Sequence, residues 1–560
     1  MKYDFNDNPQ INKTLNLVVE TISSLAEEQL EHIKQLTKIG ESLSSETDLN
    51  KIFDMILDEG VAFTKADGAT IYKVNDEGTA LEFEVIYNGT MGMRQGGAHG
   101  AVDWSPLPLY DAEGNPELSH IVTSVYHRKQ GLCFDDVYKS EGYDISGTVS
   151  FDRSSDYRCE AMLTIPLKDH EDNVLGVIQF INPLDENKEV TVFTDEHRAM
   201  LSSLASQAAI ALSNRKLIAN LENLLMEFMR AIATAIERKS KYSSNHITRV
   251  AQLTNMIAAK ISDAKEGPYS EVNFSRNELN EISMAGWMHD VGKIITPEFV
   301  MDKSTKLERI MDGVDMIKER IAHLKTLFKY LQLSLSETDY RSFVKEHLDI
   351  DIADLSSYLD DALLFVQKLN LGGEYVAQEA LDKVEALAAI NFEYEGNQYR
   401  ILDELDRKNL SIRRGTLNNE ELEIMRDHVS LTWAMLSQLS FPKKYQHVAF
   451  YAASHHEALN GSGYPKGLRA AELPLPSRII AVADIFEALT SADRPYKTNK
   501  TLSEALQIMA KMVKDGLLDP ELMDFFLESG LYLEFAEKHM KEDQIDEVDI
   551  PLLKNLYYLD

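Results

Sequence analysis

The spacing of apolar side chains changes along the chain and predicts two differently built regions. Residues 9 to about 45 carry Leu and Ile at helical intervals among Glu, Gln and Lys, without internal proline, which predicts one long helix. In the following stretch, short apolar runs separated by Asp, Gly and Asn turns predict strands at 69–74, 81–87, 161–168 and 174–182. From about residue 220 onward the pattern is almost wholly helical. We therefore expect an α+β region followed by an all-α region.

A regular apolar spacing also marks the connection between these regions, predicted as a linker helix at 200–235. The apolar residues alternate steps of four and three, as in a coiled-coil seam: Leu217, Leu221, Leu224, Phe228, Ala231 and Ala235. Burial of one amphipathic helix within the same chain would give a similar pattern. Together with the N-terminal helix at 1–45, the seam predicts a parallel homodimer that carries a sensor state into the following domain.

Composition, the lengths of the apolar runs and the two cysteines predict where in the cell the protein is located. The 560 residues are 44% hydrophobic and 26% charged, which is typical of a globular protein of about three or four domains. No apolar run reaches the roughly 18 residues of a membrane span, and the start MKYDFNDNPQ lacks the features of a secretion signal. Cys133 and Cys159 suit a reducing compartment. We expect a cytoplasmic protein without a membrane span.

The charge of the chain restricts its partners. The formal net charge is −34, from 57 Lys and Arg against 91 Asp and Glu. A polymeric nucleic acid needs a basic face, so this class of partner is excluded. A small phosphorylated ligand remains compatible with the charge when metal ions and a few placed cations neutralise it locally.

Residues 46–215 show a characteristic order of predicted helices and strands. An opening helix (NKIFDMILDEGVAFTKADGATIYKV) precedes two late strands (TIPLKDHEDNVLGVIQFIN) and a closing helix (FTDEHRAMLSSLASQAAIALSNRKL). This order resembles a GAF domain, which implies an antiparallel sheet with helices and an unidentified small ligand. Cyclic-nucleotide-binding members carry F-x-x-x-D-E, whereas Phe193, Asp195 and Glu196 give F-x-D-E. Phe193 is therefore expected to pack the closing helix.

Histidine and aspartate residues in the helical region suggest a metal site. The candidates are five imidazoles and two carboxylates, at His246, His289, His428, His455, His456, Asp290 and Asp484. An ionised aspartate on the apolar helix AVADIFEALT is costly unless a cation or donors satisfy it. Imidazole and carboxylate without thiolate suit Fe, Mn, Zn, Ni or Co. For His289 and Asp290 alone, a buried hydrogen-bonded pair without metal explains the sequence as well.

The spacing of these candidates favours two ions rather than one. Adjacent residues on a helix point about 100° apart, so His289 and Asp290, or His455 and His456, diverge too far to chelate one ion together. Asp290 has two oxygens and is the natural bridge. Two ions about 3.5–4 Å apart clamp a phosphodiester and activate water. The chemistry expected from the residues is phosphoester hydrolysis.

Three longer motifs connect these residues to a known family. HDVGK, HHEALNGSGYPKGL and ADIFEALTSADRPYK follow one another within residues 220–560. They resemble the HD-GYP subfamily of HD metal phosphohydrolases, which implies an all-α domain that hydrolyses cyclic di-GMP to pGpG and/or GMP. Some members prefer 3′,3′-cyclic GMP-AMP. The alternatives are a non-catalytic cyclic dinucleotide receptor, a nucleotide mono- or triphosphate hydrolase and a structural metal site.

The resemblance assigns roles by position. His246, His289, Asp290 and Asp484 match the ligands of one ion, and His428, His455 and His456 match those of a second ion that Asp290 bridges, with Fe expected first. Lys293 and Asp290 match the catalytic pair, where the lysine contacts the scissile phosphate. The substrate-binding positions match Gly463, Tyr464, Pro465, Arg494 and Lys497.

Four departures from the family pattern qualify these assignments. Ala458 and Asn460 replace an arginine and an aspartate of the loop, which affects substrate affinity or choice. Tyr242 replaces a glutamate that holds a third ion in some members, so two ions are expected. Glu237 is expected to be a solvated charge. Residues 303–412 form an added helical segment, with NFEYEGNQYRIL as a hairpin, that could cover the site, support dimerisation or bind a partner.

Overall fold

The structure is a computed structural model that describes residues 9–46, 48–240, 245–350, 355–372, 375–491 and 500–558. The chain divides into two compact units, Met1–Leu224 and Leu225–Asp560. One long helix begins in the first unit and ends in the second. None of the helices in the described part of the chain combines the length and the apolar character that crossing a bilayer requires.

The first unit is an antiparallel sheet with helices, as expected. Its helices are α1 (Pro9–Ser45), α2 (Leu49–Thr64), α3 (Ile121–Arg128), α4 (Ser146–Ser155) and the first part of α5 (Asp195–Lys239). Its strands are β1 (Ala66–Val74), β2 (Ala80–Asn88), β3 (Met93–Gly96), β4 (Leu107–Pro108), β5 (Leu132–Phe134), β6 (Met162–Lys168) and β7 (Val174–Pro183). The strand order is β3-β2-β1-β7-β6-β5, with β4 paired to β2. The four expected strands are confirmed as β1, β2, β6 and β7.

Three short strands of this unit were not predicted from the spacing of apolar residues. Strands β3, β4 and β5 have two to four residues each, which is too short for an alternation of apolar and polar positions to be visible. The core lies between α2, the first part of α5 and one face of the sheet. Phe193 is buried in that core, which confirms its expected packing role.

The predicted seam of the linker helix is exposed in this chain. Leu217, Leu221, Leu224 and Phe228 are 51%, 64%, 60% and 62% exposed. Burial within the same chain, the alternative explanation of the pattern, therefore does not account for these four positions.

The second unit is almost wholly helical. In chain order, its helices after α5 are α6 (His246–Ser262), α7 (Arg276–Met288), α8 (Glu298–Met301), α9 (Val314–Ser334), α10 (Glu337–Leu348), α11 (Leu355–Asn370), α12 (Gln378–Ala389), α13 (Glu404–Leu410), α14 (Asn419–Arg426), α15 (His428–Leu436), α16 (Val448–Ala452), α17 (Leu475–Thr490), α18 (Leu502–Lys514), α19 (Pro520–Glu528), α20 (Leu531–His539) and α21 (Ile550–Tyr558). One core packs α6, α7 and α17 against α18 to α21. A second packs the end of α5 against α7 and α16.

The added segment has its own hydrophobic core. Helices α9 to α13 surround it, and strands β8 (Asn391–Tyr394) and β9 (Asn397–Arg400) form the expected hairpin. At its base, Lys303 Nζ lies 2.8 and 2.7 Å from the two carboxylate oxygens of Glu421, at the start of α14. Nearby, Lys306 Nζ donates to the carbonyl of Ile412 at 2.8 Å. Both lysines are buried.

The last turn of α5 is tied to the rest of the second unit by two charged side chains. Glu237 is buried and accepts a 2.9 Å hydrogen bond from the backbone N–H of Thr248 in α6. The expectation that Glu237 is a solvated charge was wrong, because the free N–H groups at a helix start require acceptors. Lys239 Nζ donates to the carbonyls of Lys293, Ile294 and Thr296 at 3.3, 2.6 and 2.6 Å.

Candidate metal centre

Three of the candidate histidines are oriented by the same kind of hydrogen bond to the backbone. Nδ1 of His289, His428 and His455 donates to the backbone carbonyl three residues earlier, at 2.8, 2.5 and 2.6 Å. A carbonyl can only accept, so the proton is on Nδ1 and Nε2 keeps a free lone pair. The carbonyl therefore fixes both the ring and its tautomer, as in protein metal sites.

His246 is oriented by a side chain instead. Its Nδ1 donates to the carboxylate of Glu487, which also accepts from Arg249 Nε at 2.5 Å. Glu487 is one turn after Asp484 on α17, so one helix supplies both a candidate ligand and the group that orients another. His246 Nε2 then lies 3.3 Å from Asp484 Oδ1.

Asp290 lies between two groups of imidazoles. Its Oδ2 is 3.4 Å from Nε2 of His246 and 3.3 Å from Nε2 of His289. Its Oδ1 is 3.3 Å from Nε2 of His428 and 3.9 Å from Nε2 of His455. One carboxylate thus presents a different oxygen to each group.

Ligand atoms converge in clusters that could each hold an ion. His246, His289 and Asp484 form one cluster with ligand atoms within 4.8 Å of one another, and His428, His455 and His456 form another. The two clusters share no residue. A third grouping of His289, Asp290 and His455 joins them.

Buried polar atoms of this cluster lack hydrogen-bond partners among the described residues. They are Nε2 of His289, His428 and His455, and Oδ1 of Asp290. A buried polar atom without a partner costs roughly 1–3 kcal/mol. Four such atoms in one cluster are suited to bind metal ions. Neutral imidazole and carboxylate are ligand types that divalent transition metals bind. The residues present therefore fit the group that the motifs imply.

Burial and neighbouring charges set the protonation states. Burial, with His456 and His289 nearby, holds the pKa of His455 well below its usual range, and burial lowers the pKa of His456 to about 4. Burial alone would raise the pKa of Asp290, but Lys293 and the adjacent histidines outweigh it and hold that pKa well below its usual value. The pKa of Asp484 is lowered in the same way, chiefly by His246 against the effect of burial. At neutral pH, His455 and His456 are thus neutral imidazoles, and Asp290 and Asp484 are ionised carboxylates.

His246 differs from the other imidazoles. Burial lowers its pKa, but Glu487, Asp290 and Asp484 outweigh burial and raise it well above the usual value. Without a bound ion, the His246 ring is protonated, because the surrounding carboxylates stabilise its positive charge.

The turn that carries His289 and Asp290 depends on a close helix contact. Gly292 follows in the 3-10 helix Val291–Ile294, and a Cβ there would overlap the carbonyl oxygen of His428. Thr432 Oγ1 bridges the contact, accepting from the N–H of Gly292 at 3.0 Å and donating to the carbonyl of His289 at 3.1 Å. The glycine of HDVGK therefore lets α15 bring His428 up to Asp290.

Lys293 completes this turn. Its Nζ lies 2.5 Å from Asp290 Oδ2. An ammonium has three donors, so this contact leaves others for a bound anion.

The glycine-rich loop is anchored beside the histidines by Glu457. This buried carboxylate accepts hydrogen bonds from the backbone N–H groups of Lys466 and Leu468, at 2.7 and 2.8 Å. A Cβ at Gly463 would overlap the backbone of Ala458, so the loop folds back on its own start only with glycine there. The ring of Tyr464 stacks on His456 with 5.0 Å between centroids.

Asn460 has a structural role in the same loop. Its amide donates to the carbonyl of Asp515 at 2.8 Å, and its carbonyl accepts from the N–H of Ser462 at 2.9 Å. Ala458 is buried. These contacts connect the loop to the end of α18 rather than to the metal cluster.

The structure brings most of the expected site residues together. The seven candidate ligands and Lys293 form one cluster, with Gly463, Tyr464 and Pro465 in the adjoining loop. Arg494, Lys497 and Tyr242 lie outside the described residues. Asp484 lies inside α17, His246 and His428 begin helices, and the others lie in turns after helix ends: His289, Asp290, His455 and His456. Turns free the neighbouring side chains to converge.

Sequence reasoning missed Glu487 and Glu457 as site residues. A signal for each was present. Glu487 is three residues after Asp484 and shares its helix face, and Glu457 directly follows the histidine pair. Their buried surroundings, which distinguish them from ordinary solvated glutamates, became visible only in the structure.

Comparisons with known sequences agree with both units. The sequence profile of the GAF domain matches residues 48–212, and two profiles described as HD domain match residues 244–371 and 407–522. The gap between the HD matches lies in the added segment. The chain therefore contains a GAF domain followed by an HD domain.

Curated relatives match parts of this chain. The chain is 48% identical over 83 residues to the 3′3′-cGAMP-specific phosphodiesterase 1 of Vibrio cholerae, covering 15% of this chain and 19% of that protein. It is 32% identical over 233 residues to the cyclic di-GMP phosphodiesterase of Thermotoga maritima, covering 40% and 61%. It is 29% identical over 260 residues to the cyclic di-GMP phosphodiesterase response regulator RpfG of Xanthomonas campestris, covering 45% and 64%. The matches thus span less than two thirds of each relative.

Proposed function

Because the chain combines a GAF domain with an HD domain that carries the HD-GYP motifs, we propose that it is a metal-dependent cyclic dinucleotide phosphodiesterase. Its substrate is cyclic di-GMP, which it cleaves to pGpG and/or GMP. The observation that carries this proposal is Asp290, which presents one oxygen to each of two imidazole clusters, together with the buried Nε2 atoms of His289, His428 and His455 that lack hydrogen-bond partners among the described residues. Two divalent ions, of which Fe or Mn best suit these donors, are part of the proposal.

The roles of the side chains follow from their positions. His246, His289 and Asp484 would hold one ion, and His428, His455 and His456 the other, with Asp290 between them. Such ions supply Lewis-acid polarisation of the phosphodiester and a more acidic bound water. Lys293, beside Asp290, would donate to the scissile phosphate and stabilise the charge that develops there. Tyr464, Gly463 and Pro465 form the wall of the loop on the substrate side.

Turnover by a defined metal-loaded sample tests the proposal. The full chain is purified anaerobically, loaded with Fe or Mn and incubated with cyclic di-GMP, and the products are separated by chromatography. We expect pGpG or GMP to form and metal-free protein to be inactive. Tight binding without turnover would instead support the non-catalytic receptor, and turnover of nucleotide monophosphates alone would overturn the dinucleotide assignment.

A second candidate substrate is 3′,3′-cyclic GMP-AMP. One relative named for this compound is 48% identical, although over only 83 residues. The substitutions Ala458 and Asn460 lie in the loop of the proposed site. Comparing kcat/KM for the two cyclic dinucleotides on one metal-loaded sample decides between them.

Regulation by the GAF domain is also part of the proposal. Helix α5 begins in the first unit, and its last turn holds the carbonyls of Lys293, Ile294 and Thr296 through Lys239. A shift of this helix would therefore move the segment that carries Lys293. We expect Lys239→Met to lower kcat of the full chain while its metal content is unchanged. An unchanged kcat would contradict this route.

We propose that a second copy of the chain covers the exposed seam of α5. The exposure of Leu217, Leu221, Leu224 and Phe228 supports this partner, since coiled-coil positions are buried only in the dimer. Leu221→Glu with Leu224→Glu is expected to give a monomer in analytical ultracentrifugation. Asn223→Glu, on the same helix but off the seam, is the matched control. A wild-type monomer would overturn the proposal.

The GAF domain contains a cavity lined in part by aromatic side chains. Its volume is about 560 Å³, and its walls include Phe83, Trp104 and Phe151, which pack on one another. We propose that a small molecule binds here and alters turnover. Both cysteines are free, and a cytoplasmic location is part of the proposal. Because F-x-D-E departs from the cyclic-nucleotide-binding pattern, we expect cyclic GMP and cyclic AMP to leave turnover unchanged. A small metabolite whose effect on turnover is removed by Trp104→Ala would support the cavity as the site.

A further inference from the structure

Tyr464 connects the metal cluster to an exposed cation. Its ring stacks on the candidate ligand His456, and the guanidinium carbon of Arg426 lies 5.3 Å from the centre of the same ring. Arg426 is the last residue of α14 and precedes His428 by two residues. The arginine is therefore held at the edge of the metal site by an aromatic contact and by its position in the chain.

The guanidinium of Arg426 is not committed to a carboxylate. It is exposed, and it forms no ion pair with any residue in the described ranges. Lys293 contrasts with it, because its ammonium already contacts Asp290 at 2.5 Å. Arg426 thus retains its hydrogen-bond donors for a ligand.

The substrate class requires such a cation. A cyclic dinucleotide carries two phosphodiesters, and only one can be at the metal ions during cleavage. The second phosphate keeps its negative charge in a chain whose net charge is −34. Lys293 is assigned to the scissile phosphate, and Arg494 and Lys497 lie outside the described residues, so Arg426 is a described cation that can offset the repulsion felt by the second phosphate.

We propose that Arg426 binds the phosphodiester that is not being cleaved and so selects cyclic dinucleotides over substrates with one phosphate. This inference rests on the proposed function. A guanidinium suits the role because it remains charged, offers paired donors to phosphate oxygens and can keep its contact with Tyr464 while it binds.

The helix that carries Arg426 is fixed at its other end. Asn418 and Glu421 form a capping box at the start of α14, and the buried ammonium of Lys303 contacts both oxygens of Glu421. The arginine therefore projects from a rigid element, which reduces the entropy lost when it binds a phosphate.

The test compares Arg426→Ala with wild type in the metal-loaded full chain. We expect KM for cyclic di-GMP to rise about tenfold or more, as for loss of a charge-assisted hydrogen bond, with a much smaller change in kcat. Inorganic phosphate has one phosphoryl group and would compete at the metal ions, so its inhibition constant should stay within about twofold of the wild-type value. Arg426→Lys should recover part of the loss in KM.

A control variant and two outcomes make the result decisive. Arg276→Ala removes an exposed arginine at the start of α7, roughly 18 Å along that helix from its end near the metals, and should leave KM unchanged. An unchanged KM in Arg426→Ala, or an equal loss of phosphate inhibition, overturns this inference while the proposed function stands. If the wild-type protein neither binds nor cleaves a cyclic dinucleotide, the proposed function and this inference both fail.

Discussion

The metal cluster and the base of the added segment both bury charged side chains, but they satisfy them differently. At the base, the ammonium of Lys303 contacts both carboxylate oxygens of Glu421, and Glu421 also accepts from the backbone N–H of Asn418 at 2.9 Å. In the metal cluster, three imidazole nitrogens and one oxygen of Asp290 have no such partners among the described residues.

This difference separates a structural role from a chemical one. Burying a charge costs free energy that a complete set of partners offsets, as at the base of the added segment. An incomplete set in a buried site leaves a cost that only a bound group can offset. Both places bury carboxylates beside nitrogen-bearing side chains, so the state of their hydrogen bonds is what distinguishes the candidate metal site.

The comparison predicts its largest effect at Asp290. Asp290→Ala removes both oxygens that face the two imidazole clusters, so we expect loss of bound metal and a fall in kcat of about a thousandfold or more. Elemental analysis of anaerobically purified protein and turnover of cyclic di-GMP measure the two effects. Asp361→Ala, which removes an exposed carboxylate of α11, is the control. Retained activity in the Asp290 variant would refute the two-ion site.

The Lys303–Glu421 ion pair at the base of the added segment should affect stability rather than metal binding. Lys303→Met leaves Glu421 buried without its cation, so we expect the free energy of unfolding of the second unit to fall by about 3–5 kcal/mol. Denaturant unfolding of the full chain measures this, with metal content as a check. The double variant Lys303→Met with Glu421→Met should recover most of the loss. A double variant as unstable as the single one would show that the pair is not the cause.

Two buried glutamates sharpen the comparison further. Glu487 orients His246, and Glu457 anchors the glycine-rich loop. Glu487→Gln should weaken metal affinity by about 10- to 100-fold, as for other groups that orient a ligand. Glu457→Gln should raise KM and leave metal affinity unchanged. Metal titration followed by steady-state kinetics separates the two, and identical effects in both variants would contradict the assigned roles.

The smallest effect is expected at Tyr464, whose ring lies over a ligand without being one. Tyr464→Ala should raise KM for cyclic di-GMP by about tenfold, since it removes a substrate contact and the aromatic support of Arg426. Metal content should be unchanged, and Tyr464→Phe should keep most of the affinity because the ring face remains. Loss of metal from Tyr464→Ala would assign the ring to the metal cluster instead.

Strong local patterns made much of the fold predictable. The four long strands of the first unit and the helices of the second alternate polar and apolar residues over enough positions to be visible. The hairpin predicted at NFEYEGNQYRIL is confirmed, and its turn is formed by Glu395 and Gly396, which both have positive φ. Strands β3 to β5 are too short to show a pattern and depend on pairing with distant neighbours.

The sequence by itself determined which residues could form the site and what donor types they offer. Ligand spacing and the absence of thiolates are local properties, and they predicted a two-ion cluster around Asp290. Only the tertiary structure decided which buried groups are satisfied: Glu487 behind His246, Glu457 behind the loop, Glu237 at the start of α6 and Arg426 over Tyr464. The physical reason is that hydrogen-bond satisfaction and burial depend on segments up to 241 residues apart, as between His246 and Glu487, which local patterns cannot specify.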